Sequence, residues 1–231
     1  MDVSSRYQQL NDWFLTAHGE KLQLTIESLL QSVPMQNFSQ RYLQIGSCGQ
    51  NHWFSELHYS QKWLLSPCPL SENHLEADPY YLPFGSDALD VIFSPFALNM
   101  GLEPWRLIYA LDQSLSSMGY LIFMGLNPMG IWRWSRFFGK KQWYQSAGGC
   151  SFWRLKAILN YFGYRQVDAQ FFYFIPPVQN QHLISYFDLV DRFAKLIPPY
   201  PPAFYFLVMQ KQELDFILSP VKPCCSVRGL I

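Results

Sequence analysis

The sequence predicts a doubly wound α/β domain, a three-layer sandwich around a mostly parallel sheet. Three observations carry this. Residues 89–94, Leu-Asp-Val-Ile-Phe-Ser, form a nearly continuous apolar run of the kind buried on both faces of a parallel sheet. Residues 103–117 then place Leu107, Ile108, Leu111 and Leu115 on one helical face, and Gly119 opens a second buried strand over 120–124. Strand, helix, strand at this spacing is a parallel crossover. Upstream, residues 41–45 read as a strand that ends in the turn Gly46-Ser47-Cys48-Gly49, and residues 51–58 supply a helical turn or two.

Composition narrows the classes. A chain of 231 residues that is 49% hydrophobic and 15% charged can bury a sizeable core and is not intrinsically disordered. Lys+Arg and Asp+Glu number 17 each, without a like-charge block, which argues against a nucleic-acid partner. The apolar run 120–134 is broken by Asn127-Pro128 and carries Arg133, so no membrane span is expected. The polar start, Met1 to Arg6, is unlike a secretory signal, and the expected location is the cytoplasm. Cys48, Cys68, Cys150, Cys224 and Cys225 are odd in number, form no C-x-x-C pair and lack a histidine at ligand spacing. Neither a disulfide framework nor a metal site is expected.

The remaining elements follow in order. Residues 7–30 show helical spacing (Leu10, Trp13, Phe14, then Leu22, Leu24, Ile26, Leu29, Leu30), with His18-Gly19 as the break between two helices. A second strand at 62–66 stops at Pro67, and a loop with Pro69 and Pro79 leads to an extended piece at 80–82. An insertion rich in Trp, Phe, Arg and Gly spans 127–150, and a helix over 152–162 ends at Gly163. Two last strands, 166–174 and 204–209, are separated by a connection with Asp188-Leu189-Val190 and the run Pro198-Pro199-Tyr200-Pro201-Pro202. The expected division is a helical preface at 1–38, an α/β domain at 39–211 and a tail at 212–231.

The order of these elements, from residue 41 to 210, resembles class I S-adenosylmethionine-dependent methyltransferases. That resemblance implies a Rossmann-like sheet of seven strands with one antiparallel strand near the C-terminus. Asp78-Pro79-Tyr80-Tyr81-Leu82-Pro83-Phe84, leading to Leu89-Asp90-Val91-Ile92, is similar to the family's acid-x-x-x-Leu-Pro-Phe stretch before the fourth strand. Gly125-Leu126-Asn127-Pro128-Met129-Gly130-Ile131-Trp132 resembles a bacterial branch of the family with Gly-Phe-Asn-Pro-x-Ser-Leu-Trp after the fifth strand. Arg154-Leu155, Leu159 and Gly163-Tyr164 fit the helix before the sixth strand.

The departures are specific. The family's first strand carries an acid and runs into Gly-x-Gly-x-Gly; here Gln44 replaces the acid, and the glycine positions read Gly46, Cys48 and Gln50, with Gly49 displaced by one. The acid that takes the ribose hydroxyls is replaced by Ser66. Asp78 matches the adenine-binding acid, but Pro79 lacks the N–H that its counterpart donates to the ring.

The resemblance implies methyl transfer from S-adenosylmethionine to a small, fairly apolar molecule, with Gly46, Ser47, Cys48, Gly49, Ser66, Asp78 and Ser94 around the cofactor and Phe96, Asn127, Trp132 and Arg133 around the substrate. Methyl transfer from a sulfonium needs no metal and little acid/base help, so the absence of a catalytic motif does not argue against it. The second reading is a relative without catalysis that keeps the fold for partner binding or assembly. Either way the aromatic set Trp132, Trp134, Phe137, Phe138, Trp143 and Tyr144 suits a pocket wall, core packing or a homodimer face. Arg133 and Arg136 suit an anionic group or a solvated face, and His52, His58, His74 and His182 receive no catalytic role. Cys48 would act as a nucleophile only with a lowered pKa.

Overall fold

The computed structural model describes residues 3–33, 40–66, 74–134, 143–146, 149–177 and 201–212. Readings placed on Pro67, Cys68, Pro69, Arg136, Phe137, Phe138, His182, Asp188, Leu189, Val190, Pro198, Pro199, Tyr200, Cys224, Cys225 and the tail from 213, and on the side chains of His74 and Trp134, lie outside the described residues.

Two helices, α1 (Val3–Phe14) and α2 (Ala17–Ser32), precede the first strand. The break between them falls at Leu15-Thr16, ahead of the expected His18-Gly19. Thr16 is the N-cap of α2, its hydroxyl accepting from the Gly19 N–H at 3.4 Å. Gly19 lies inside α2 because α1 passes so close that a Cβ at this position would overlap the Phe14 backbone. It marks a close approach between helices and not a turn.

The sheet strands are β1 (Arg41–Ile45), β2 (Gln61–Leu65), β3 (His74–Leu75), β4 (Leu89–Pro95), β5 (Leu115–Leu126), β6 (Tyr164–Phe172) and β7 (Phe204–Lys211). Helix α3 (His52–Glu56) follows β1, α4 (Pro104–Ser114) joins β4 to β5, and the short α5 (Ile131–Trp134) and α6 (Trp143–Ser146) precede α7 (Phe152–Tyr161). The seven strands lie in the order β3-β2-β1-β4-β5-β7-β6. All neighbours are parallel except β7, which runs antiparallel to both β5 and β6. β3 has two residues and is an edge fragment; the body of the sheet is the other six strands.

Alternation along the strands builds two cores. Tyr42, Val91, Phe93, Ile122 and Phe206 pack with Tyr7, Leu10, Phe14, Leu22, Ile26 and Trp53 on the side of α1, α2 and α3. Leu43, Ile45, Ile92, Leu121 and Leu207 pack with Leu107, Ile108, Leu111, Leu155 and Leu159 of α4 and α7. Both faces are covered, as the apolar reading of β4 requires. Among the described residues no helix is long and apolar enough to cross a membrane.

Two elements differ from expectation for identifiable reasons. α4 ends at Ser114 and not at 117, because Leu115 already pairs with Leu89; residues 116–119 then bulge opposite Asp90, with Met118 at φ 62. Residues 78–81 form a turn, so that 80–82 are not an extended piece, since Asp78 Oδ1 accepts from Tyr80 N at 2.9 Å and Asp78 O from Tyr81 N at 2.9 Å.

Asp90, the one acid in β4, fixes where β1 begins. Its carboxylate accepts from the Gln40 and Arg41 N–H groups at 3.0 Å, from the Arg41 guanidinium at 2.8 and 3.2 Å, and from Ser116 Oγ at 3.2 Å. Burial alone would push its pKa up, but the hydrogen bonds from Arg41 and from the two backbone N–H groups outweigh it and hold the pKa below the ordinary 3.8. A depressed carboxylate contributes stability that is present above its unfolded pKa and is lost as pH falls through the folded one. Asp90→Asn therefore lowers the urea midpoint at pH 7, and the gap to the parent protein narrows below about pH 4. A gap that stays constant to pH 3 would contradict the ionised network.

Candidate functional site

In an open α/β sheet the ligand crevice lies outside the carboxyl ends of the strands where the order reverses. Here that point lies between β1 and β4, because the chain leaves β1 for β2 and β3 and returns beyond β1 to form β4.

The turn after β1 is shaped from below by a buried amide. Gln44 Oε1 accepts from Trp53 Nε1 at 2.9 Å, while Gln44 Nε2 donates to Gly46 O at 2.9 Å and to Asn51 Oδ1 at 2.8 Å. The same Asn51 oxygen accepts from Cys48 N at 2.9 Å, which fixes the orientation of the Asn51 amide. Gly46 (φ 96) and Gly49 (φ 60) then turn the chain in left-handed conformations that glycine tolerates. Gln44 in place of the family's acid suits these surroundings: two of its four partners, Gly46 O and Asn51 Oδ1, are oxygen acceptors, which a carboxylate would repel, while Tyr42 Oη and Trp53 Nε1 donate to it.

From above, α1 covers the turn. Asn11 Nδ2 donates to Ser47 Oγ at 3.1 Å and Asn11 Oδ1 accepts from Gly49 N at 2.9 Å. A Cβ on Gly46 would stand 2.7 Å from the Tyr7 ring, and one on Gly49 2.8 Å from Phe14 Cβ. Tyr7, Asn11 and Phe14 are site residues that no sequence motif marks. Their signal in the sequence was an asparagine at helical spacing between two aromatics on an otherwise apolar stripe.

Five of the expected cofactor residues, Gly46, Ser47, Cys48, Gly49 and Ser66, form one group. Ser47, Cys48 and Ser66 are wholly buried, and Ser66 Oγ donates to Ser47 Oγ at 3.2 Å. Burial pushes the Cys48 thiol well up, which removes it as a thiolate nucleophile. Ser94, near the carboxyl end of β4, is 1% exposed, and its hydroxyl has no hydrogen-bond partner among the described residues. Asp78 is exposed, and one of its oxygens caps the turn before Leu82.

The expected substrate residues are divided between packing and turn formation. Phe96 (φ 55) and Trp132 are buried in an aromatic cluster in which Phe96 meets Phe14 and Trp143, and Trp132 meets Trp13, His18, Tyr144 and Tyr173. Trp132 Nε1 donates to Ile175 O at 2.7 Å, and His18 Nδ1 lies 2.7 Å from Tyr173 Oη. Asn127 Nδ2 donates to Pro202 O at 3.0 Å, and its Oδ1 accepts from Met129 N at 3.1 Å. Arg133 flanks this turn, half-buried.

Strand order, the antiparallel β7 and the switch point define the class I methyltransferase fold. The chain is similar in structure to a SAM dependent methyltransferase from Archaeoglobus fulgidus, with TM-score 0.59 and 18% identity over 82% of this chain and 94% of that one. It is similar to one from Aquifex aeolicus (TM-score 0.57, 13% identity, 91% of this chain and 98% of that one) and to the 4+2 cyclase SpnF (TM-score 0.56, 15% identity, 81% and 80%). In sequence it is 27% identical over 124 residues to the uncharacterized protein YafS of Escherichia coli K12, a match spanning 54% of this chain and 43% of that protein. No protein-family profile matches the chain.

S-adenosylmethionine fits this arrangement unevenly. The unpaired Ser94 hydroxyl and the exposed Asp78 suit the nucleoside end, whereas in the glycine turn the Gly49 N–H is taken by Asn11, the Cys48 N–H by Asn51 and the Gly46 N–H by Leu65 O, with Tyr7 and Phe14 against the glycines. The amino-acid end of the cofactor requires α1 to yield.

The amide network makes a sharp demand on position 44. Gln44→Glu would set a carboxylate oxygen against Gly46 O and Asn51 Oδ1, at a cost of about 2 to 4 kcal/mol at neutral pH. The cost should shrink at acid pH, where a protonated carboxyl can donate again. Urea denaturation at pH 7 and pH 4 measures both values, and equal midpoints for variant and parent would refute the network.

Proposed function

We propose that the protein binds S-adenosylmethionine in the crevice beyond β1 and β4 and transfers its methyl group to a small, fairly apolar molecule in the cytoplasm. The observation that carries this reading is the switch-point turn of Gly46 to Gly49, with Ser66 bonded to it and the unpaired hydroxyl of Ser94 buried at the end of β4. The resemblance in chain order and the structural neighbours described as SAM dependent methyltransferases support it. When bound, the cofactor supplies a methyl group already activated on a sulfonium.

The chain's own residues then have modest tasks. The Ser94 hydroxyl has no partner among the described residues, and a polar ligand that pairs it recovers about 1 to 3 kcal/mol. Asp78 keeps an oxygen for the adenine amino group, and Ser47 and Ser66 meet the ribose after breaking their mutual bond. Phe96 and Trp132 keep water out of the acceptor side, and Asn127 and Arg133 border it.

A second reading, a protein with this fold that binds a partner without catalysis, is favoured by one observation: Asn11 already occupies the Ser47 hydroxyl and the Gly49 N–H. The 4+2 cyclase among the neighbours also carries this fold to another activity. Calorimetry with S-adenosylmethionine and S-adenosylhomocysteine separates the readings. Saturable binding near micromolar, about −8 kcal/mol, is the expected result. No heat up to millimolar ligand would transfer the assignment to the partner-binding reading.

A further inference from the structure

We propose that Asn11 is a ligand-mimicking latch, whose carboxamide holds the Gly49 N–H and the Ser47 hydroxyl until the carboxylate end of the ligand displaces it. The proposal rests on the cofactor reading above. Asn11 reaches down from a half-buried position on α1 and makes both an acceptor and a donor contact with the turn, at 2.9 and 3.1 Å. A carboxylate entering the same turn needs a backbone N–H donor there, as an anion does wherever a glycine turn leads into a helix. The Gly49 N–H cannot serve both groups fully, so ligand and latch compete.

The rest of α1 is arranged around this contact. One turn before Asn11, the Tyr7 ring lies on Gly46; nearly one turn after it, Phe14 lies on Gly49. Any side chain at position 46 or 49 would push α1 off the turn, so the two glycines serve the docked helix as well as the turn. At the start of α1, Arg6 Nη1 donates to Met100 O at 3.0 Å, which ties the helix to the loop after β4, on the opposite wall of the switch point. The latch therefore spans the crevice from the β1 side to the β4 side. It sets specificity through the amino-acid end: a ligand that carries a carboxylate can replace the Asn11 contacts, and adenosine cannot.

The test compares the full chain with Asn11→Ala and Asn11→Asp. Asn11→Ala removes both contacts; Asn11→Asp keeps an acceptor for Gly49 N–H and adds a charge that opposes a carboxylate. Titration with S-adenosylhomocysteine and with adenosine gives the affinities, and hydrogen exchange over residues 3–14 reports whether α1 is docked. The latch predicts that Asn11→Ala binds S-adenosylhomocysteine about tenfold tighter than the parent, with adenosine unchanged and exchange in 3–14 raised, while Asn11→Asp shows no gain. In the parent, S-adenosylhomocysteine should raise exchange in 3–14. If S-adenosylhomocysteine binds the Asn11→Ala variant no more tightly than the parent, or protects 3–14, the latch is overturned and the cofactor reading stands. If it binds none of the three proteins, the cofactor reading falls and the latch falls with it.

Discussion

The site depends on the buried carboxamide of Gln44. It lies at the end of the first strand with no access to water, and each of its polar atoms has a partner: an indole N–H, a main-chain carbonyl and the Asn51 amide. An unpaired amide at that depth would cost several kcal/mol, so the turn is constrained to the conformation that pairs it. The left-handed backbone at Gly46, Gly49 and Asn51 follows from this constraint. So does the position of α3, whose Trp53 closes the network. A carboxylate in the same place would have called for donors; the amide is matched to a mixture of donors and acceptors, and the surroundings changed with it.

Much of the fold could be read from local pattern. The apolar run of β4 and the glycine turn after β1 are short-range signals, and the crossover between β4 and β5 follows from spacing and chirality. What could not be read depends on contacts, near or far along the chain, that spacing alone does not encode. Gly19 looks like a helix breaker until the backbone of Phe14 is seen against it. Leu115 looks like the last residue of a helical face, yet pairing with Leu89 draws it into the sheet. Tyr80 to Leu82 have strand-like side chains, but Asp78, through its carboxylate and its carbonyl, folds Tyr80 and Tyr81 into a turn that ends before Leu82.

The candidate site was legible to a similar degree. Gly46, Ser47, Gly49 and Ser66 come together because strand order alone brings the ends of β1 and β2 side by side. Asn11 is not legible as a site residue because its partners lie 36 and 38 residues away, and nothing in an amphipathic helix announces which polar residue points inward. Trp132 illustrates the ambiguity of aromatic clusters: the same residue types suit a pocket wall and a core, and only the bond to Ile175 O and the surrounding rings show how it is packed.

The position of β7 has a consequence for biosynthesis. The strand occupies the gap between β5 and β6, yet residues 204–211 leave the ribosome after every other described strand. Until then, β5 presents an open hydrogen-bonding edge along a stretch from Tyr120 to Leu126 that is buried at every position in the finished sheet. A sticky, unpaired edge of this kind is a template for joining other nascent chains. Between synthesis of β5 and insertion of β7 that edge is therefore open to pairing with another chain.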